Sequence, residues 1–155
     1  MKILWEETTP KMLHITEFRG PYFFLSNFYE TPVKYESLTY PSSEAAFQAA
    51  KCLDPKARKI FQTMTPKQAK QFGRRVSLRP DWEEIKLQVM AEILKNKFEN
   101  KILRTQLLAT DTANLVEGNY WHDTFWGVDL TTGKGQNHLG KLLMNLRKNL
   151  KEQYT

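Results

Sequence analysis

Two carboxylates in unlike surroundings are the residues of this chain best suited to chemistry. Glu44 lies in Tyr40-Pro41-Ser42-Ser43-Glu44-Ala45-Ala46-Phe47-Gln48-Ala49-Ala50-Lys51, which reads as a turn feeding a small-residue helix. Asp123 lies in Trp121-His122-Asp123-Thr124-Phe125-Trp126-Gly127, an aromatic-rich loop. Paired carboxyl groups can give and take protons and can stabilise a cationic sugar. Flat rings can hold a base. If both segments meet at one pocket, they carry what hydrolysis of a glycosidic bond requires.

Each feature also has a plainer reading. On a helix, Glu44, Gln48 and Lys51 fall along one face at i, i+4 and i+7, opposite alanines and Phe47. Such a row faces solvent or lines a cleft. A place in the first helical turn favours the ionised form of Glu44. Asp123 can simply accept from turn amides. Trp82 reads as a core-edge anchor, and Trp126 as a ring beside the tight bend that Gly127 permits. Asn27 and Arg19 flank the Phe23-Phe24-Leu25 run. Both suit turn capping, and both suit a grip on a phosphate or a ribose hydroxyl. Arg74 fits solvent or a phosphate at an entrance. Asn137 ends Gly133-Lys134-Gly135-Gln136-Asn137, an anion-binding type of turn without P-loop spacing. His14, His122 and His138 share no metal-ligand spacing, so no metal is expected.

The elements that must position these side chains are legible in outline. Short strand-like runs fill the front: Ile15-Thr16-Glu17-Phe18, Phe23-Phe24-Leu25, Val33-Lys34-Tyr35, and Leu38-Thr39-Tyr40 beyond Glu36-Ser37. From Ser42 the period turns helical, with Ser42 or Ser43 as N-cap. Asp54-Pro55 and the Thr65-Pro66-Lys67-Gln68 capping box predict two helix starts, and Gly73 a stop. Asp81 predicts another cap. The helix after it carries Ile85, Val89, Met90, Ile93, Leu94 and Phe98 on one face. A shorter helix runs through Ile102, Leu103, Leu107 and Leu108, and Asn114 to Glu117 suit a short strand. Gly118 to Gln136 reads as irregular. Asn137 would then cap a last helix striped by Leu139, Leu142, Leu143, Leu146 and Leu150. The expectation is an α+β fold, mostly helical, with short N-terminal strands, in a single domain over residues 1–155.

Composition narrows the setting. Hydrophobic residues at 41% and charged residues at 26% fit a folded globule rather than a disordered chain. A net charge of +6 favours anionic partners, so nucleic acid is possible. Cys52 is the single cysteine, which excludes an intramolecular disulfide and a cysteine metal cage. It reads as a buried thiol. The stretch Met1-Lys2-Ile3-Leu4-Trp5-Glu6-Glu7 lacks the apolar core of an export signal, and no run suits a membrane span. A cytoplasmic location is the expectation.

Taken in order, the pieces resemble the YbiA-like or NADAR family. The matching elements are Phe23 to Phe28, Tyr40 to Lys51, Gly73-Arg74, Trp82, Leu107-Leu108-Ala109-Thr110, Asp123 to Gly127, and Gly133 to Gly140. The resemblance implies N-glycoside hydrolysis, the cleavage of a ribose C1′–N bond. It implies Glu44 and Asp123 as the catalytic acids and Trp82 and Trp126 as pocket aromatics that sandwich a base. Lys51, Arg74, Asn27, Arg19 and Asn137 are the further substrate-binding candidates, and no cofactor is implied. One implied substrate is a phosphoribosylaminopyrimidine intermediate of riboflavin synthesis. Another is ADP-ribosyl-guanine, on nucleic acid or nucleotide. A non-catalytic ADP-ribose reader with the same pocket is the third reading.

Overall fold

The structure, a computed structural model, describes residues 13–154. The Met1 to Glu7 stretch, tested for an export signal, lies outside the described residues. The chain begins with β1 (His14–Ile15), which pairs in parallel with β4 (Asn114–Leu115). Of the Ile15 to Phe18 run, only Ile15 lies in a strand.

The Phe23-Phe24-Leu25 run is a 3-10 helix over Gly20–Leu25, not a strand. Pro21 fixes one φ in the first turn, and the Tyr22 and Ser26 amides donate to the Arg19 and Phe23 carbonyls. Alternating aromatics imitate a strand here because Phe24 and Leu25 are buried while Phe23 stays half out.

The hairpin expected around Glu36-Ser37 is present. β2 (Glu30–Tyr35) and β3 (Leu38–Ser42) pair antiparallel, with Thr31, Val33 and Tyr35 facing the core. Glu36 (φ 43°) and Ser37 (φ 73°) both sit in the left-handed region, as a tight two-residue hairpin turn demands.

β3 runs directly into α1 (Ser43–Ala50), whose eight residues are all buried. Ser42 caps it, accepting from the Ala45 amide at 3.0 Å. α2 (Pro55–Ile60) starts at the Asp54 cap, and α3 (Pro66–Phe72) at a complete Thr65/Gln68 capping box. Cys52 is buried just past the end of α1 rather than within a helix.

α4 (Trp82–Lys97) is the long central helix, and Val89, Met90, Ile93, Leu94 and the following Phe98 are buried as the stripe requires. Asp81 does not cap it. Its carboxylate pairs with Arg79 at 2.7 Å, since that guanidinium offers two donors and the helix amides one each. α5 (Lys101–Ala109) buries Leu103 and Leu107, but Ile102 points to solvent.

The segment after α5 is less regular. β5 (Gly118–Asn119) and β6 (Val128–Asp129) form a minimal parallel pair. α6 (His138–Tyr154) closes the chain and packs against α4 and α5. Asn137 precedes it with φ 54°, yet its side chain is not a cap. Its Oδ1 accepts from the Glu117 amide at 3.0 Å and its Nδ2 donates to the Leu115 carbonyl at 2.9 Å. One buried side chain thus ties the start of α6 to β4 and the strand after it. Among the described residues, no helix is long and apolar enough to cross a membrane.

Candidate functional site

A cavity of about 650 Å³ opens between α1, the 3-10 turn, the end of α3 and the loop from Glu117 to Trp126. Glu44 and Asp123 both line it, together with two further acids, Glu117 and Glu17.

α1 supplies the first wall. The Glu44 amide donates to the Asn27 carbonyl at 3.0 Å, and the Ser43 hydroxyl donates to Asn27 Oδ1 at 2.9 Å. Asn27 therefore pins the 3-10 turn to the first turn of α1 while lining the cavity. Glu44 Oε2 accepts from Gln48 Nε2 at 2.8 Å. Burial pushes the Glu44 carboxyl up from the usual carboxylate range. The Gln48 bond, Lys70 and Lys51 oppose that shift, and Asp123 adds to it. Burial thus works against the helix N-terminus, which was expected to favour the ionised form of Glu44. Gly73 allows α3 to end against Gln48, because a Cβ there would overlap the Gln48 side-chain oxygen. That oxygen is buried and has no hydrogen-bond partner among the described residues.

The loop supplies the second wall. Asp123 Oδ1 accepts from the Phe125 amide at 3.0 Å and the Trp126 amide at 2.9 Å. The plainer reading of Asp123, a turn-holding carboxylate, is realised, and the residue faces the cavity as well. Asn119 is buried beneath it. Its Oδ1 accepts from the Asp123 amide, and its Nδ2 donates to the Asp123 carbonyl and to Glu117 Oε2 at 3.2 Å. Gly127 is required beside it, because a Cβ there would overlap the Glu117 carboxylate. Glu117 is pushed up to about 7. Burial is the main cause, with Asp123 and Glu44 adding to it and Asn119 and Lys70 opposing it.

Cations surround the acids. Lys51, Lys70, Arg74 and Arg19 all line the cavity. Burial lowers the Lys51 ammonium, the Glu44 charge partly restores it, and Arg74 lowers it further. Lys70 Nζ lies 5.7 Å from the Phe28 ring centre and 5.5 Å from that of Trp121. Arg19 is mostly exposed and pairs with Glu17 at 3.5 Å.

The aromatic sandwich expected from Trp82 and Trp126 is not formed. Trp82 is buried behind the wall, and Phe47 stands between the two indoles at 5.0 Å and 5.3 Å. Trp126 and Phe47 line the cavity and Trp82 does not. The ring at the first helical position of α4 turns inward because α1 offers only alanines and Phe47 to pack against. Asn137 also lies off the cavity, spent on Leu115 and Glu117.

Glu117, Asn119, Lys70 and Phe47 are wall residues that pattern reading passed over. Glu117 ends an apolar run that reads as a strand, and Lys70 sits on a capped surface helix. Neither carries a local signal. A polar pair spaced by a glycine, Glu117-Gly118-Asn119, inside an otherwise aromatic segment is the nearest thing to one.

Residues 14–151 match the model of the NADAR domain. The chain belongs to the NADAR family. It is 47% identical over 129 residues to the N-glycosidase YbiA of Escherichia coli strain K12, covering 81% of this chain and 79% of that one. It is 34% identical to an N-glycosidase of Nostoc punctiforme, covering 84% and 87%. A riboflavin biosynthesis protein of Vibrio vulnificus is 38% identical over 83% of this chain, which spans 36% of that protein. The NMR structure of E. coli YbiA superposes with a TM-score of 0.81 at 40% identity, covering 93% of this chain and 89% of that one. The mostly helical α+β class expected from sequence is the observed one, and so is the family. The NADAR relatives carry the name of an enzyme that hydrolyses N-glycosyl bonds, the class expected here.

Proposed function

We propose that this NADAR protein hydrolyses the C1′–N bond of a phosphoribosylaminopyrimidine, a riboflavin-pathway type of N-riboside. One observation carries the reading: acids and cations share a single cavity walled by rings. Glu44, Glu117 and Asp123 face the same space as Lys51, Lys70 and Arg74. Breaking a C–N glycosidic bond builds positive charge on the ribose, and a buried carboxylate opposite it stabilises that charge. Glu44 takes this part. The cations receive the 5-phosphate, with Asn27 and Arg19 at the edge. Trp126 and Phe47 offer the base two faces, and stacking of this kind contributes about 1–3 kcal/mol per base. Trp82 supports Phe47 from behind. Proton transfer to the leaving nitrogen falls to an acid on the loop wall, where Asp123 and Glu117 stand.

The names of the YbiA and riboflavin-biosynthesis relatives support the same substrate class. The test is release of ribose 5-phosphate and free aminopyrimidine from the purified protein, with Glu44→Gln as control. Product formation lost in that variant is the expected result. Turnover by the variant at the native rate would refute the assignment.

A second reading has its own support. Tyr120 (61% exposed) and Trp121 (59% exposed) stand at the mouth of the cavity, next to Lys70. Exposed rings beside a cation suit a second nucleobase, as in an ADP-ribosyl-guanine substrate. Release of free ADP-ribose from ADP-ribosylated guanine, compared with ribose 5-phosphate release, decides between the two.

A further inference from the structure

We infer that Glu117, rather than Asp123, is the acid that protonates the leaving nitrogen. The inference rests on the N-glycosidase reading and deepens it.

The two loop-wall acids are held differently. Asp123 Oδ1 accepts from two backbone amides, Phe125 and Trp126. These two bonds fix the carboxylate as part of the turn, and losing them would loosen the loop. Among the described residues, the Glu117 carboxylate accepts one side-chain bond, from Asn119, and none from the backbone. Its carboxylate lies against Gly127, where no side chain can intrude.

The charges around the site divide the labour further. Burial raises both Glu117 and Glu44. Beyond it, Glu117 feels two carboxylates, Asp123 and Glu44, against the Asn119 amide and Lys70. Glu44 feels the Gln48 amide, Lys70 and Lys51 against one carboxylate, Asp123. Arg74 and the Glu17–Arg19 pair lie further round the same cavity. Two neighbouring carboxylates favour the protonated form of Glu117, whereas two cations and an amide favour the charged form of Glu44. The Glu117 carboxyl, pushed up to about 7 chiefly by burial, is poised to take up and release a proton near neutral pH, as a general acid must.

The step then balances. As the C1′–N bond breaks, its electron pair goes to nitrogen, and Glu117 supplies the proton that makes N–H. Water adds its oxygen to C1′ and gives one proton to the Glu44 carboxylate. One water is consumed, and C1′–OH and N–H are formed. The proton on Glu44 returns to Glu117 through solvent, which restores the starting state.

The experiment compares two leaving groups in native protein, Glu117→Gln and Asp123→Asn. One substrate is the aminopyrimidine N-riboside 5-phosphate, whose nitrogen leaves only with a proton. The other is 4-nitrophenyl riboside 5-phosphate, whose phenolate leaves without one. For Glu117→Gln, kcat on the N-riboside should fall by about 100-fold or more, while the nitrophenyl substrate stays within about tenfold of native. The fall of native kcat/KM above pH 7 should vanish in that variant. Equal losses on both substrates, an unchanged N-riboside rate, or the selective loss in Asp123→Asn instead would each overturn the assignment. A native protein inert on both substrates would overturn the N-glycosidase reading itself, and is told apart by the absence of any native rate. Thermal melting of both variants checks that they are folded. Should Glu117→Gln melt early, Glu117→Asp provides the same comparison with the acid retained but shortened.

Discussion

The two acid-bearing walls are built by opposite means. The α1 wall is a regular helix, all of it buried, whose entry is capped by Ser42 and pinned by the Glu44 amide to the Asn27 carbonyl. The loop wall contains two-residue strands and is held by side-chain amides: Asn119 gathers Asp123 and Glu117, and Asn137 fastens the Glu117 backbone to α6. A helix positions a carboxylate by propensity and packing, and damage to one bond spreads over many. A loop positions it through a few bonds, each of which holds a larger share.

That contrast can be broken or sharpened by measurement. The largest effect belongs to Glu44→Gln, which should lower kcat by about 10²–10⁴-fold with an unchanged melting temperature. A folded variant at the native rate would remove the helix wall from the chemistry.

Next comes Trp82→Ala. Because Trp82 is buried behind Phe47, it should cost about 3–5 kcal/mol of stability. Its KM should then move less than that of Trp126→Ala. A raised KM at full stability would put Trp82 back into contact with substrate.

Asn119→Ala should cost about 1–3 kcal/mol, since it orphans buried groups on the loop. It should also lower kcat, measured beside urea denaturation. The matching change on the helix wall, Ser42→Ala, should cost about 1 kcal/mol with kcat nearly native. Equal kinetic losses in the two would erase the distinction between walls.

A separate effect is a pH trend in stability. The folded-state pKa of Glu117 is raised to about 7 from its ordinary 4.5, so the folded state binds the extra proton between those values. Its contribution is fully present below about 4.5 and is lost as pH rises through 7. Glu117→Gln should therefore gain stability relative to native between pH 5 and pH 8. A difference that stays flat across that range would show that Glu117 is ionised throughout.

The contrast also explains what could be read in advance. Ser42, Asp54 and Thr65 announce their helices because a cap acts on amides two or three residues away, within one turn of sequence. The Glu36-Ser37 turn is equally local. Asp81 misleads because Arg79, two residues earlier, competes for the same carboxylate. Phe23-Phe24-Leu25 misleads because alternation over three residues cannot separate a strand from a 3-10 turn. On the site, Glu44 and Asp123 stand out in the chain, and both reach the cavity. Glu117 does not stand out, because what makes it notable lies elsewhere: a carboxylate at 123, another at 44, a glycine at 127. Trp82 reads as a core-edge anchor from its position in the chain, and only the family resemblance draws it toward the cavity. Only the placement of Phe47 shows which side of the wall it occupies.

The row of rings that runs Trp82, Phe47, Trp126 and on to the rim has an optical consequence. Trp82 is 5% exposed and Trp121 is 59% exposed, so these two indoles emit from dry and wet surroundings. A guest that stacks at the mouth would shift the wet indole to the blue and leave the dry one alone. Indole emission thereby reports occupancy, with Trp126 on the cavity wall responding as well.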